Sequence, residues 1–279
     1  MKQIRVVVMV FVWCLLLVPA EWVSAAGKTY TLGVVPQKRP AVIYEKWSPF
    51  AKKISLELGI TIKVKPYGSM SEFEADIFRG VPDFVYMNPY QAMLVREAQG
   101  YIPMVRDRRG LSGIVVSKKG KGVDSVKDLN GQTLAFPGPN NFAASLYLRA
   151  LLLEKEKIRI TPKYVKTHSN VYRFVSLGKT PAGGGIRKTL AREPKGVQKK
   201  LNIIYETPAT ASHPLAAHPR VPNGLRKRMA NLILDLGKND ANKKMLKNIQ
   251  MANPIRTSYR KDYKPLKKLQ QTLKKYGGE

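Results

Sequence analysis

A strand–turn–helix pattern at residues 127–152 constrains the fold of this chain more than any other local feature. A short apolar run at residues 133–136 reaches a turn at residues 137–141, which holds two prolines, a glycine and an Asn pair, and a strongly helical segment follows. This order directs free backbone N–H groups and the positive end of a helix dipole at one place. Such a place suits an anion or a polar ligand, and Asn140 and Asn141 fit the N-cap position. The same pattern also occurs where a turn only caps its own helix, so both interpretations stay open at this point.

The N-terminus has the pattern of a secretory signal peptide. Two basic residues precede an apolar run at residues 6–20, which is short for a bilayer span, and residues 23–25 (VSA) form a small-residue cleavage site. We therefore predict that residues 1–25 are removed on export; an uncleaved membrane anchor is the alternative. The single cysteine, Cys14, lies inside this segment, so we expect the mature chain to hold no disulfide.

The chain is strongly basic, with 49 Lys and Arg against 19 Asp and Glu and a formal net charge of +30 at pH 7. Such a charge favours anionic partners without specifying a fold. We expect no nucleic acid partner, because an exported protein rarely meets one and the basic residues are spread rather than interleaved with aromatic residues. The lysine pairs at residues 199–200, 243–244, 267–268 and 274–275 are typical of solvated helix faces. Attraction to an anionic lipid surface is an alternative.

Strand and helix patterns alternate along the mature chain. Strands are predicted at residues 30–35, 60–64, 84–87, 113–117, 133–136, 164–167 and 203–205. Helices are predicted at residues 44–58, 71–79, 89–99, from about 142, and at 170–177, 225–238, 241–249 and 263–276. Ser71 and Glu74 predict the cap of the second helix, and the Pro- and Ala-rich residues 208–222 predict an extended return crossing. This succession indicates an α/β protein with mainly parallel sheets.

The two α/β blocks predict two lobes, with a ligand cleft between them. We assign residues 26–110 to the first lobe and 111–207 to the second, with 208–279 returning to pack on the first. Ligands of open α/β sheets bind beyond the carboxyl ends of the strands, so the turns that follow the strands carry the candidate site. The candidate residues are Gln37, Tyr67, Met87, Asn88, Tyr90, Asn140, Asn141, Ala143, Ala144, Ser145, His168 and Ser169. Alternatively, each turn is only a polar loop that caps its own helix.

Enzymatic sites are not indicated by the sequence. Of the three histidines, His213 and His218 lie five residues apart with no carboxylate or cysteine beside them, whereas a metal site needs three or four ligands. Residues 183–185 (GGG) lack the Gly-Lys-Ser/Thr spacing of a nucleotide loop, so we predict a role in close packing or a turn. We expect no catalysis, no metal and no cofactor.

Several blocks together resemble a known family. They are residues 33–36 (GVVP), 47–50 (WSPF), 83–89 (DFVYMNP), 128–136 (DLNGQTLAF), 168–172 (HSNVY) and 182–185 (AGGG). Their order along the mature chain resembles the phosphate, phosphite and phosphonate substrate-binding proteins of ATP-driven (ABC) importers, the PhnD-like group of type II periplasmic binding proteins. The resemblance implies a periplasmic, bilobed α/β fold that acts as a monomer, binds a small oxyanion in its cleft and delivers it to a membrane permease.

The resemblance also implies roles for individual residues. Phosphonate binders of this family hold the ligand with a Ser-Thr-Ser cluster at a helix start, which here matches Ala143, Ala144 and Ser145, so two hydroxyls are missing. His168 matches the family's ligand histidine, and if it acts as a cation, binding weakens above its pKa. The carboxylates that receive an amino group in aminoalkylphosphonate binders fall near Thr180 and Pro181, neither of which is acidic.

These departures favour an oxyanion without an amine, from phosphate-like to sulfur oxyanions. Our prediction is an exported solute-binding protein that captures a phosphate-, phosphite- or phosphonate-like anion for an ABC importer. One alternative is an oxyanion-sensing partner of a membrane signalling system. Another is a degenerate binding protein that acts as an interaction module, which the high charge and the lost hydroxyls would allow.

Overall fold

The computed structural model describes residues 27–275, so the predicted signal peptide and Cys14 lie outside the described residues. The chain forms two β-sheets flanked by helices. In chain order the strands are β1 (Thr29–Val34), β2 (Thr61–Lys65), β3 (Phe84–Tyr86), β4 (Ile102–Asp107), β5 (Ile114–Lys118), β6 (Thr133–Phe136), β7 (Thr161–Tyr164), β8 (Ala182–Gly185), β9 (Leu201–Glu206), β10 (Pro214–Ala217) and β11 (Pro254–Arg256).

The α-helices cover both sheets. They are α1 (Pro40–Leu58), α2 (Met70–Phe78), α3 (Pro89–Gln99), α4 (Tyr147–Glu154), α5 (His168–Ser176), α6 (Arg187–Leu190), α7 (Lys195–Gln198), α8 (Asn223–Leu236), α9 (Lys243–Asn248) and α10 (Lys267–Lys275). A π-helical turn at Phe142–Leu146 leads directly into α4. Within residues 27–275, no helix combines the length and the apolar character that crossing a bilayer requires.

The first sheet has the strand order β11-β4-β10-β3-β1-β2. β1 is parallel to β2 and β3, whereas β10 is antiparallel to both β3 and β4, and β11 is antiparallel to β4. Four of its six strands therefore run in one direction. The segment 208–222, predicted as an extended crossing, also supplies the central strand β10.

The second sheet has the order β7-β6-β8-β5-β9. β6 is parallel to β7 and β8, and β5 is antiparallel to β8 and β9, so β5 alone opposes the other strands. The predicted α/β fold, with two mainly parallel sheets flanked by helices, is confirmed.

Helix α1 shows how local sequence places these layers. Proline at its first position needs no helical acceptor, and Ile43, Trp47 and Ile54 recur at helical spacing and are buried against the first sheet. The helix ends at Gly59, whose φ of +64° is readily adopted by glycine. The helix therefore begins four residues before the predicted start and ends where predicted.

Two helix starts differ from the sequence prediction. The cap of α2 is Ser69 and not Ser71, because Ser69 has extended backbone angles and its Oγ accepts from the Glu72 N–H (3.1 Å). In α5, the Thr167 Oγ1 accepts from the Asn170 N–H (3.1 Å), so the helix begins at residue 168 instead of 170. The preceding strand β7 is correspondingly three residues earlier than predicted.

Two chain crossings and an apolar contact join the sheets. The crossings, residues 108–113 and 207–213, pair through Leu111 and Thr210, each of which donates its N–H to the other's carbonyl oxygen at 2.9 Å. The largest buried apolar cluster lies around the first sheet and also takes in Phe142, Ala143 and Leu146 from the second lobe. The first turn of the helix that follows β6 therefore packs against the first lobe.

Glycines let this helix start approach its own sheet. A Cβ atom on Gly184 of β8 would overlap the carbonyl oxygen of Ala144, and one on Gly113 before β5 would overlap that of Ala143. Cβ atoms on Gly183 and Gly185 would likewise overlap side chains of α5, those of Val171 and Tyr172 respectively. The triplet thus serves close packing, as its sequence context predicts.

We expect Gly184→Ala to lower the free energy of unfolding by about 1–3 kcal/mol, because the added methyl group must displace a backbone carbonyl and an aromatic ring. Urea unfolding followed by circular dichroism measures the change. The matched control is Gly196→Ala in α7, where a Cβ meets no atom within 4 Å. Equal stability of the two variants would contradict the packing role.

Candidate functional site

The second lobe contributes a helix start with free amides to the cleft edge. The chain turns after β6 at residues 137–141 and enters the π-helical turn, where the first helical amide, that of Ser145, donates to the Asn141 carbonyl (2.9 Å). The amides of Phe142, Ala143 and Ala144 precede it and therefore have no acceptor within the helix. Three N–H groups at one helix start form a site that favours an anion. π-helical turns are frequent at functional sites.

Ser145 is the residue that the sequence resemblance matches to the last serine of a family hydroxyl cluster. Its side chain is completely buried, and its Oγ has no hydrogen-bond partner among the described residues. Burying a hydroxyl without a hydrogen-bond partner costs free energy of folding, unless a ligand supplies that partner. Ala143 and Ala144 are also buried, with their carbonyls directed at the glycines of the sheet.

The predicted capping role of the Asn pair is wrong. Asn141 occupies the N-cap position, but its side chain is exposed and accepts no cap hydrogen bond. The reason is that its Oδ1 lies over Gly138, folded back onto the turn. Asn140 is half-buried in the same turn. The amides of the helix start therefore stay free of side-chain caps.

His168 lies at the first position of α5, at the same carboxyl edge of the second sheet. Its Nδ1 is buried without a hydrogen-bond partner among the described residues, and burial lowers the pKa of the ring. At neutral pH the imidazole is therefore neutral, which replaces the expectation of a cationic ligand. The neighbouring Ser169 is engaged, because its Oγ donates to Glu193 Oε1 at 2.5 Å.

The first lobe contributes a polar chain that the sequence prediction only half identified. Gln37 follows β1 and is exposed, and its Nε2 lies 2.7 Å from Nε2 of His213. The Gln37 Oε1 accepts from the side-chain amide of Gln250. His213 precedes β10, which runs antiparallel to β3, so its N-terminal end lies at the carboxyl edge of β3. Sequence reasoning missed His213 because the strand it precedes was predicted as an extended crossing.

The environment of His213 keeps its ring uncharged. The imidazole stacks on Tyr86 at 5.4 Å between ring centroids, and Tyr86 packs against Trp47 at 4.8 Å. Burial lowers the pKa of His213 to about 4. A neutral ring that accepts the Gln37 amide proton at Nε2 carries its own proton on Nδ1. Gln37 and His213 therefore contribute neutral polar groups to this edge of the first lobe.

Tyr67 lies within the packing of the first lobe. It is buried, and its hydroxyl donates to Asp76 Oδ2 of α2 (3.1 Å). The same carboxylate pairs with Lys65 (2.5 Å) and Arg79 (2.7 Å). Burial and the negative Asp76 raise the pKa of Tyr67, so the hydroxyl keeps its proton and its hydrogen bond.

The turn after β3 also serves the fold. Met87 is completely buried, and Asn88 caps α3 through Oδ1, which accepts from the Gln91 N–H at 2.8 Å. The Gln91 Oε1 accepts in return from the Asn88 N–H at 3.1 Å, which completes a capping box. Tyr90, in the first turn of α3, is half-buried against the large apolar cluster.

Within residues 27–275, no group of three or more His, Cys, Asp or Glu side chains is arranged to hold a metal ion. Two sets of neutral polar groups lie beyond the carboxyl ends of strands, one set in each sheet. One consists of the free amides and Ser145, and the other is the chain of Gln37, His213 and Gln250.

We expect His213 to titrate near pH 4, well below an ordinary histidine. The unfolded chain takes up this proton near pH 6.5, so the free energy of unfolding falls as the pH drops through that window. NMR titration of the His213 ring protons measures the pKa directly. His213→Gln should reduce the acid-side loss of stability, and a His213 midpoint near 6.5 would contradict the buried, neutral ring.

Comparison with solved structures finds the same fold in several proteins. The methylphosphonate complex of PhnD1 from Prochlorococcus marinus aligns with TM-score 0.74 and 17% identity over 88% of this chain and 98% of that one. The ATP complex of XAC2383 from Xanthomonas citri aligns with TM-score 0.75 and 16% identity over 88% and 98% of the chains. A binding protein component of an ABC phosphonate transporter from Pseudomonas aeruginosa gives TM-score 0.69 and 15% identity over 91% and 89%.

At 15–17% identity, these structural matches establish the fold alone. The family is established by a match between the sequence and a family model. No curated protein matches the chain in sequence. A family model described as "ABC transporter, phosphonate, periplasmic substrate-binding protein" matches residues 32–263, well over half of the chain. The chain belongs to this family of periplasmic phosphonate substrate-binding proteins of ABC transporters.

Proposed function

We propose that this protein is exported to the periplasm and captures a small phosphonate or a related tetrahedral oxyanion for an ABC importer. Family membership and the bilobed fold support a solute-binding role. The choice of a tetrahedral oxyanion depends on one observation. Three backbone amides without helical acceptors and the unpartnered, buried Oγ of Ser145 converge on one helix start.

These groups suit an oxyanion better than a cation or a neutral sugar. Backbone N–H groups only donate, and the helix dipole adds partial positive charge at the same end. Hydrogen bonds to a charged acceptor are also stronger than those to a neutral one. His168 adds a neutral imidazole with a buried, unpartnered Nδ1 at the same sheet edge. The proposed ligand-binding residues are therefore Ala143, Ala144, Ser145 and His168 in the second lobe, with Gln37 and His213 facing them.

Hinge bending would complete the site. We assign residues 26–110 and 208–279 to one lobe and residues 111–207 to the other, so that the paired crossings at Leu111 and Thr210 form the hinge. An anion bound first at the helix start would be enclosed when the first lobe brings Gln37 and His213 towards it. The closed form would then be presented to the membrane permease.

We expect one or more tetrahedral oxyanions to raise the thermal unfolding midpoint. A ligand that binds only the folded state adds about 2.7 kcal/mol of stability at 100 times its dissociation constant. The panel holds methylphosphonate, phosphate, phosphite, aminoethylphosphonate, sulfate and thiosulfate, measured at low ionic strength and at ~150 mM salt. Equal shifts for all anions that vanish with salt would indicate surface screening and contradict a solute site.

We expect Ser145→Ala to weaken binding of the selected anion by about 10- to 100-fold, because it removes one charge-assisted hydrogen bond. Isothermal titration calorimetry measures the affinity. Ser117→Ala is the matched control, since Ser117 is also completely buried with an unpartnered Oγ. Ser117 lies near the end of β5 remote from the helix start. Equal losses in both variants would remove Ser145 from the binding site.

A further inference from the structure

A cluster of six cations lies between the lobes, beside the proposed cleft. The first lobe contributes Lys38, Lys46, Arg109 and Lys247, and the second contributes Lys188 and Arg192; we call this set the inter-lobe cationic cluster. The adjacent ammonium group of Lys46, then burial and the nearby charges of Arg192 and Lys188, lower the pKa of Lys38. Burial and the charges of Arg192, Arg109 and Lys247 lower the pKa of Lys188, which Asp107 partly offsets.

The backbone places this cluster next to the binding groups. Lys38 directly follows Gln37 in the turn after β1, and Lys188 is the second residue of α6, just beyond the carboxyl end of β8. Ile186, which lies between β8 and α6, packs against the large apolar cluster of the first lobe. The turn that carries Lys188 therefore faces the first lobe.

Within residues 27–275 the cluster is neutralised only at Arg109, whose Nε lies 3.7 Å from Asp107 Oδ1. Lys38, Lys46, Lys188, Arg192 and Lys247 form no ion pair among these residues. The carboxylate facing the cluster, Asp107, is already engaged: its oxygens accept from the backbone N–H groups of Arg109 and Asn253, both at 2.9 Å. Like charges held together oppose one another until an anion enters between them.

We propose that the inter-lobe cationic cluster is a second anion subsite, and that the solute is a small phosphonate or phosphate carrying a second anionic group. The first group occupies the helix start at residues 142–145. The second, a carboxylate or another phosphoryl group, is held by Lys38 from one lobe and Lys188 from the other. This inference rests on the proposed function and adds the class of solute.

The division of charge across the site supports this assignment. The inner groups, Gln37, His213 and the free amides, are neutral, whereas the charged groups lie beside them. A solute with one anionic group that binds at the amides leaves the lysines of the cluster without an anionic partner. A solute with two separated anionic groups engages both sets, and it gains charge-assisted hydrogen bonds from both lobes only when they close.

Calorimetry on matched ligand pairs tests the inference. Phosphonoacetate adds a carboxylate to the skeleton of methylphosphonate, and pyrophosphate adds a phosphoryl group to phosphate. We expect the doubly anionic member of at least one pair to bind about tenfold or more tightly than its partner at ~150 mM salt.

The double variant Lys38→Gln/Lys188→Gln should abolish this advantage and change the affinity for methylphosphonate or phosphate by less than about threefold. The control is Lys52→Gln/Lys199→Gln, which removes the same charge from one exposed lysine on each lobe outside the cluster. The control should keep the advantage. Circular dichroism and thermal unfolding confirm that both variants fold.

The other outcomes separate this inference from the proposed function. If the single-group ligands bind and the doubly anionic ligands bind no better, the second subsite is overturned and oxyanion capture stands. Equal losses in the cluster variant and the control would reduce the effect to net charge and also overturn the subsite. If no ligand of either pair binds, this inference fails, and the proposed function fails with it only if the remaining oxyanions of the thermal panel give no shift either.

Discussion

The close contact between the helix start at residues 142–146 and the glycines of the second sheet determines the geometry of the candidate site. The carbonyl oxygens of Ala143 and Ala144 occupy space that a Cβ on Gly113 or Gly184 would need. The amides of residues 142–144 precede the first helical hydrogen bond, that of Ser145, so they have no acceptor within the helix. The proposed anion-binding amides of the second lobe therefore depend on the absence of two side chains from neighbouring strands. They are backbone groups, and their position is fixed by packing rather than by side-chain torsion angles.

In the first lobe, the strand order places polar groups at the carboxyl edge of the first sheet. Insertion of β10 between β3 and β4 places the residue before it, His213, at the carboxyl end of β3, where its ring stacks on Tyr86. Burial removes the charge from the ring, and the Gln37 amide fixes its orientation. Neutral, oriented groups cost less to desolvate than charges when two lobes enclose a ligand. The charges lie instead in the cationic cluster, where they attract an anion from solution.

The sequence predicted the parts of this structure that depend on local patterns. Strand and helix alternation predicted the α/β class and most elements, and Gly59 marked the end of α1 correctly. The start of α2 was predicted two residues too late, because Ser69 and Ser71 are equally good caps in sequence and only the backbone angles distinguish them. His213 was missed for a different reason: β10 pairs with strands more than 100 residues earlier in the chain, and such pairings leave no local pattern. Conversely, Tyr67 and Asn88 follow strands, as the predicted ligand residues do, but their side chains serve the fold. Tyr67 donates to Asp76, and Asn88 caps α3.

The two alanines at the helix start explain why recognition of the solute would shift towards the cationic cluster. Side-chain hydroxyls at these positions would add donors, but they would also add polar atoms where Phe142, Ala143 and Leu146 join the apolar cluster of the first lobe. Burying an unpaired hydroxyl there costs free energy, whereas alanine stabilises the contact between the lobes. With fewer donors around the first anionic group, affinity and selectivity must come from another part of the solute. On the proposal made above, Lys38 and Lys188 would supply them, and their repulsion in the absence of an anion would couple closure of the cleft to the second anionic group.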